Sequence, residues 1–250
     1  MIETPAVKGR NVMVGTVDQR GTEGTAAGHP EPMWAVVIAV KNRAAAKQRL
    51  ALPRPLRTAV ARAMAMDTVS AVVGCPLVAT VVVVTDENPA DFTGLGARVV
   101  PDAPAAGLNA ALRHGAALAA ADPAGVWRGA VIFEGGLAAL AGDLPALRAC
   151  ELASALGAVR RGERAVVADA GGGGTTLLAA SPGVDLRPRF GTESYLRHLA
   201  DGARDATDGA GQGLRTDVDT LPDLTAAVVL GPGAHTLALL PDLLDWLPAT

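Results

Sequence analysis

Continuous apolar runs alternate along this chain with segments of helical spacing. Trp34 to Val40, WAVVIAV, is unbroken and β-branched, as expected of a strand buried on both faces of a parallel sheet. Leu77 to Thr85, LVATVVVVT, reads the same way and ends in the polar group Thr85-Asp86-Glu87-Asn88. Between them Pro53 and Pro55 mark a break. Leu56, Val60, Ala63, Met64, Val69 and Val72 then recur at helical spacing until Gly74 and Pro76 stop the helix. Ala97 to Val100 predicts a short third strand, and Gly107-Leu108-Asn109 opens a helix of AALRHGAALAAA type.

Two apolar runs compete for the next strand, Ala130 to Phe133 and Leu137 to Ala141. The second is favoured because it feeds directly into Gly142-Asp143-Leu144-Pro145. Pro145 suits the first turn of a helix from Ala146 to Ala158. Ala165 to Ala168 and Thr175 to Ala180 predict two more strands, separated by Asp169-Ala170 and four glycines. Pro188-Arg189-Phe190-Gly191 leads into Thr192-Glu193-Ser194 and a short helix. Gly and Asp fill 201 to 213, Leu214 to Val218 suggests a last strand, and Thr220-Leu221-Pro222-Asp223 caps a helix from Leu224 to Leu230.

Alternating strands and helices with short connections predict a three-layer α/β domain with a mainly parallel sheet. Its expected span is 33–230. Residues 1–32 lack periodicity and read as a flexible leader. Residues 231–250 read as a C-terminal tail whose leucine run, ending at Trp246, packs on the domain or on a partner. No internal repeat and no second domain is evident.

The chain has 250 residues, 50% of them hydrophobic and 19% charged, enough for one sizeable core. Aromatics are only 3%, so that core must be built from Ala, Val and Leu. A net charge of −3 argues against a general nucleic-acid binder. Cys75 and Cys150 have neither metal nor redox spacing, which suits a reducing cytoplasm. No run approaches the length of a membrane span, so neither secretion nor membrane insertion is expected.

Candidate chemistry collects where strands end. Lys41, Arg43, Lys47 and Arg49 follow the first strand, separated by alanines. Ligands of open α/β sheets bind at that carboxyl edge, and such a loop can neutralise a polyphosphate; a solvated basic loop is the plain alternative. Asp143, and the Asp217-Val218-Asp219-Thr220 stretch, reach the same edge. Two separated carboxylates beside a polyphosphate suit Mg²⁺, which takes few protein ligands, although each aspartate could equally cap a helix or turn. Gly171 to Gly174 and Thr175 could let backbone amides approach an anion, or could form a simple hairpin. Arg189 and Ser194, on either side of Gly191, offer further donors. His29, His114, His198 and His235 are scattered and expected to be structural or exposed.

The ordered set IAVKNRAAAKQRL, VVTD, GLNAAL, AGDLPAL, the glycine stretch with Thr175, RFGTES and TDVDTLPDL resembles the guanylyltransferases of deazaflavin coenzyme F-420 biosynthesis. In that family GTP reacts with phosphoenolpyruvate in actinobacteria, or with 2-phospho-L-lactate in archaea. The resemblance covers about Trp34 to Leu230. It implies a nucleotide-diphospho-sugar-transferase-like Rossmann fold, with GTP and phosphoenolpyruvate as substrates and Mg²⁺ as the metal. By matched position, Asp143 and Asp219 would hold Mg²⁺, with Asp217 a further candidate. Thr175, Gly191 and Ser194 would hold phosphoenolpyruvate. Lys41, Lys47 and Arg49 match the basic loop over the triphosphate, and Thr85, Asp86 and Asn109 the nucleoside side. A homodimer fits such a family. The pattern departs from the family in two places: Ala170 stands where an Arg is frequent, and the segment from Val131 to Leu140 is long. Related acceptors (2-phospholactate, 3-phosphoglycerate or a molybdopterin) therefore stay open.

Overall fold

The first apolar run becomes β1 (Trp34–Ala39) in a computed structural model that describes residues 34–40, 47–103, 105–121 and 135–246. It is followed by α1 (Arg54–Val73), β2 (Val78–Val84), a single turn α2 (Ala90–Thr93), β3 (Arg98–Val100) and α3 (Leu108–Ala120). Next come β4 (Gly136–Leu140), α4 (Ala149–Gly157), β5 (Arg164–Ala168), β6 (Thr175–Ala180), α5 (Ser194–Ala200) and β7 (Arg204–Asp205). The described chain closes with α6 (Gln212–Arg215), α7 (Leu221–Leu230), α8 (Ala234–Leu237) and α9 (Leu240–Leu243).

The strands form one seven-stranded sheet in the order β3-β2-β1-β4-β6-β5-β7. β1 pairs in parallel with both β2 and β4, β2 with β3, and β5 with β7. Only β6 runs against its neighbours β4 and β5. The mainly parallel α/β architecture expected from the alternation of elements is thus what the chain adopts.

Alternation of side chains along each strand builds a core on both faces. Val36, Ile38, Val81 and Val83 face α1 and α4, whereas Ala35, Val37, Val82 and Val84 face α3 and the segment from Leu186 to Leu199. With so few aromatics, close approach replaces bulk. A Cβ at Gly115 of α3 would lie 2.5 Å from a Val37 methyl and 2.7 Å from a Val84 methyl, so glycine lets α3 settle directly onto the sheet. A third cluster joins Leu50, Val60, Met64, Val218, Leu224 and Leu243. Residues after 230 belong to it: the Asp67 carboxylate of α1 accepts from His235 N at 2.9 Å and Thr236 N at 2.8 Å, and Leu243 is fully buried.

Of the two runs competing for the central strand, the second is β4, between β1 and β6. The run from Ala130 to Phe133 lies outside the described residues, as do the leader and Lys41.

Three local expectations are corrected. No strand forms at 214–218; instead α6 takes Leu214, and the chain then runs extended without a strand partner. Its backbone is held by individual bonds, Ala170 N to Arg215 O at 2.8 Å and Val218 N to Asp143 O at 3.2 Å. Leu214 and Val218 are both fully buried, so two inward apolar residues four apart imitate a short strand. Secondly, α4 starts at Ala149, not Ala146. Pro145 sits in a preceding turn, and the Glu151 carboxylate accepts from Arg148 N and Gly213 N, both at 3.0 Å. Finally, the Gly- and Asp-rich stretch contains the two-residue edge strand β7, too short to show a period.

Candidate active site

Because β1, β4 and β5 are parallel, their carboxyl ends share one edge of the sheet. β6 is antiparallel, so its first residue is delivered to that same edge: Thr175 pairs with Ala168, the last residue of β5. A cavity of about 660 Å³ opens there. Lys47 and Arg49 reach it from the segment after β1, Asp143 from the turn after β4, and Asp217 and Asp219 from the extended segment before α7. Thr175, Gly191 and Ser194 complete it from the β6 side.

The Lys47 ammonium donates to Asp219 Oδ1 at 2.7 Å and also to Asp143 Oδ2. Burial alone would lower its pKa, but the two carboxylates reverse this and hold the lysine protonated well above its ordinary range. Among the described residues, no cation pairs with Asp217. Burial, then the charges of Asp143, Asp169 and Asp219, push its carboxyl up to about 7. The carboxylate segments are fixed by the backbone: Val218 N binds Asp143 O, and a capping box of Thr220 and Asp223 anchors the start of α7 directly after Asp219.

No group of three or more His, Cys, Asp and Glu side chains is arranged to hold a metal among the described residues. Asp143 and Asp219 nevertheless converge on one cationic atom. Two convergent carboxylates suit a hard divalent ion that completes its shell with water and substrate phosphates.

The glycine turn resolves in favour of the hairpin. Asp169 Oδ1 accepts from Gly173 N at 3.1 Å and Oδ2 from Gly174 N at 2.8 Å, so these amides are taken by the chain itself and are not offered to an anion. A Cβ on Gly174 would lie 2.2 Å from Asp169 Oδ2, which leaves room only for glycine.

On the far side of the turn, Ser194 and His198 lie one helical turn apart on α5, both fully buried. Ser194 Oγ is 3.1 Å from Thr175 Oγ1, and His198 Nδ1 is 3.0 Å from the same oxygen. His198 Nε2 accepts from Arg189 N at 2.9 Å. Burial lowers the imidazole pKa to about 4, so the ring is neutral at pH 7. Gly191 adopts φ 123°, a conformation suited to glycine alone, and non-glycine left-handed backbone occurs at two cavity residues, Lys47 (φ 58°) and Glu193 (φ 54°). Strained backbone of this kind clusters at functional sites.

Thr85, Asp86 and Asn109 do not line this cavity. Thr85 Oγ1 accepts from Glu87 N at 3.1 Å and Asp86 Oδ1 from Asp102 N at 3.1 Å, tying together the turns that follow β2 and β3. Asn109 grips Phe190, donating to its carbonyl at 2.9 Å and accepting from its N–H at 2.7 Å. These side chains shape bordering loops, and Asn109 fixes the loop that carries Gly191. Arg189 turns its guanidinium to Asp201. Sequence reasoning missed Asp169 and His198 as organisers of the site. The spacing of His198 four residues after Ser194 was the available signal.

The chain is similar to known proteins along most of its length. The model of the family described as "Guanylyl transferase CofC like" matches residues 34–243. A phosphoenolpyruvate guanylyltransferase of Salinispora arenicola is 52% identical over 213 residues, covering 83% of this chain and 93% of that protein. Proteins of the same name from Thermomonospora curvata and Streptomyces coelicolor are 49% and 47% identical, covering 84% of this chain and 89% and 97% of their own lengths. Among solved structures, a protein described as a nucleotide-diphospho-sugar transferase from Desulfovibrio desulfuricans G20 superposes with a TM-score of 0.57 at 14% identity, covering 85% of this chain and 95% of its own. A nucleotidyl transferase from Methanothermobacter gives 0.50 at 22%, covering 79% and 97%. These two likenesses concern the fold alone. With the family model spanning nearly all of the described sheet and helices, the chain belongs to the CofC-like guanylyl transferases.

Proposed function

We propose that this chain transfers the GMP moiety of GTP to phosphoenolpyruvate, releasing pyrophosphate and forming enolpyruvoyl-2-diphospho-5′-guanosine for coenzyme F-420 biosynthesis. The observation that carries this reading is the pairing of two anion-directed groups in one cavity on either side of β4. Lys47 and Arg49 after β1 share the cavity with Asp143 after β4 and Asp219 before α7, and Thr175, Gly191 and Ser194 line it from the start of β6 and the approach to α5. The 47–52% identical relatives bear the name of this reaction.

The chemistry needs no general base. A phosphate monoester is already anionic at pH 7. Its oxygen forms a bond to the α-phosphorus of GTP, and the bond from that phosphorus to the bridging oxygen breaks, with the electron pair leaving on pyrophosphate. The residues have to position and neutralise. Lys47 and Arg49 offset negative charge on the triphosphate, and Thr175 and Ser194 orient the phospho-acid. In this reading Asp143 and Asp219 would hold Mg²⁺, with Asp217 as the third carboxylate beside them. The bound ion supplies charge neutralisation and alignment of the two anionic substrates. Lys41, outside the described residues, belongs to the same basic segment. A cytoplasmic setting accords with free Cys75 and Cys150, and no helix of the described residues is long and apolar enough to cross a membrane.

The test is pyrophosphate release with Mg²⁺ and GTP, adding phosphoenolpyruvate, 2-phospholactate and 3-phosphoglycerate in separate reactions. Release with phosphoenolpyruvate alone is expected. Release only with another acceptor, or with none, overturns the proposal.

A further inference from the structure

The hydroxyls of Thr175 and Ser194 meet a histidine whose hydrogen-bond polarity is set elsewhere. A hydroxyl can donate or accept, so a buried pair of them has no inherent direction. His198 removes that freedom. Its Nε2 receives the backbone N–H of Arg189 at 2.9 Å, and a backbone N–H can only donate. Nε2 must therefore be the unprotonated nitrogen, and in the neutral ring the proton sits on Nδ1. Nδ1–H can then only donate, and Thr175 Oγ1 lies 3.0 Å away to accept it.

Counting protons completes the picture. Thr175 and Ser194 together have two hydroxyl protons. Their mutual bond of 3.1 Å uses one. Thr175 cannot return a proton to Nδ1, so the second has no acceptor within the triplet. Both residues line the cavity, so that proton is directed there. With the opposite tautomer, Thr175 would donate to the ring, Ser194 would donate to Thr175, and only lone pairs would face the cavity.

We propose that His198 is a positioning residue: it forces the Thr175–Ser194 pair to donate one hydrogen bond into the cavity, which selects an acceptor-only anionic group, a phosphate or carboxylate oxygen of the acceptor substrate. This rests on the reading that the cavity takes a phospho-acid. The charged groups near the ring are Asp201, Arg164 and Arg189, and the edge-on Phe190 ring, 5.3 Å away between centroids, closes one side.

The test combines one spectrum with one mutant cycle. In ¹⁵N-histidine-labelled wild-type protein, with His198 assigned by its loss in a His198→Asn variant, the Nδ1–H tautomer is expected at pH 7. An Nε2–H tautomer or an imidazolium overturns the proposal, whatever the substrate. In kinetics, His198→Gln, whose amide reaches the Nε2 position and leaves the Nδ1 position without a donor, should raise KM for the phospho-acid by about ten-fold or more, with KM for GTP and kcat held within about two-fold. His198→Asn, whose amide nitrogen can stand near Nδ1, should recover part of that loss. In a Thr175→Val background the His198→Gln change should have no further effect on acceptor KM. An equal effect in both backgrounds, or an equal rise in KM for GTP, overturns the positioning role. If the wild type uses an acceptor other than phosphoenolpyruvate, the functional reading fails and the cycle is run with that acceptor. If it uses none, the tautomer alone decides the inference.

Discussion

Lys47 Nζ donates to Asp219 Oδ1 at 2.7 Å across 172 positions of sequence, and the same nitrogen reaches Asp143. One cation thus closes the mouth of the cavity between the segments that follow β1 and β4 and the one that precedes α7. Lys47 is mostly buried, whereas about half of the Asp219 side chain is exposed. The Asp219 arm is partly exposed and contributes little to the fold, whereas the Asp143 arm is mostly buried on both sides. Replacing Lys47 by Met should lower kcat/KM by ~10²–10³, the cost of one lost electrostatic contact to a developing charge, and should lower the melting temperature as well, because the mostly buried Asp143 loses its cation. Steady-state kinetics beside a thermal melt checks this. A folded variant with wild-type kcat/KM would exclude Lys47 from catalysis.

Asp143→Asn keeps the shape of the side chain but removes its charge. Turnover should fall by ~10²–10³ with the fold intact. The Mg²⁺ concentration for half-maximal rate should rise as well, since a carboxamide is a weaker ligand for a hard cation. A Mg²⁺ titration of both proteins separates this from a general loss of activity: an unchanged midpoint would remove Asp143 from the metal site.

The sheet and its functional edge are legible in sequence for a simple physical reason. Strands buried on both faces leave long apolar runs, as at Trp34 and Val81, and the polar residues at their ends are the ones the edge presents. Asp143 follows directly from that rule, and Thr175 follows once β6 is seen to run antiparallel. Asn109 does not. Its side chain, in the first turn of α3, makes two bonds to the backbone of Phe190, 81 positions away, which no local pattern marks. For His198 the spacing from Ser194 marks a shared helix face, but neither of its hydrogen-bond partners, Thr175 and Arg189, is marked by local spacing. Pairings across the sheet leave no periodic trace, and the segment at 214–218 misleads because two buried residues suffice to imitate a strand.

Asn109 distinguishes loop support from nucleoside contact. Asn109→Ala removes both bonds to Phe190 and leaves that backbone unpaired, a cost of ~1–3 kcal/mol in stability. The Gly191 loop should loosen, so KM for the acceptor should rise while KM for GTP stays near wild type. A selective rise in KM for GTP would instead restore Asn109 to the nucleoside side.

Gly115 and Gly174 separate packing from the site. Gly115→Ala forces a methyl against Val37 and Val84 in the core and should destabilise by ~1–3 kcal/mol without changing kcat in the folded fraction. Gly174→Ala pushes against Asp169 and should shift the hairpin that delivers Thr175. Its main effect should be on acceptor KM. Denaturant unfolding and kinetics on both variants check the contrast, and equal kinetic losses would contradict it.

Histidine burial also gives stability a pH dependence of definite sign. Burial, opposed by Asp201 and assisted by Arg164 and Arg189, lowers the His198 pKa from 6.5 to about 4. The unfolded chain therefore takes up a proton at higher pH than the fold does. Above about pH 6.5 both states are neutral and the stability is whole. As pH falls from 6.5 towards 4 the unfolded state gains protons first, and stability declines by up to about 1.4 kcal/mol per pH unit. Urea unfolding of the wild type and of His198→Gln at several pH values in that window isolates the term, because other titrating groups are common to both. Relative to the variant, the wild type should lose stability as the pH drops. A constant difference between the two curves would mean that the His198 pKa is the same in the folded and the unfolded chain.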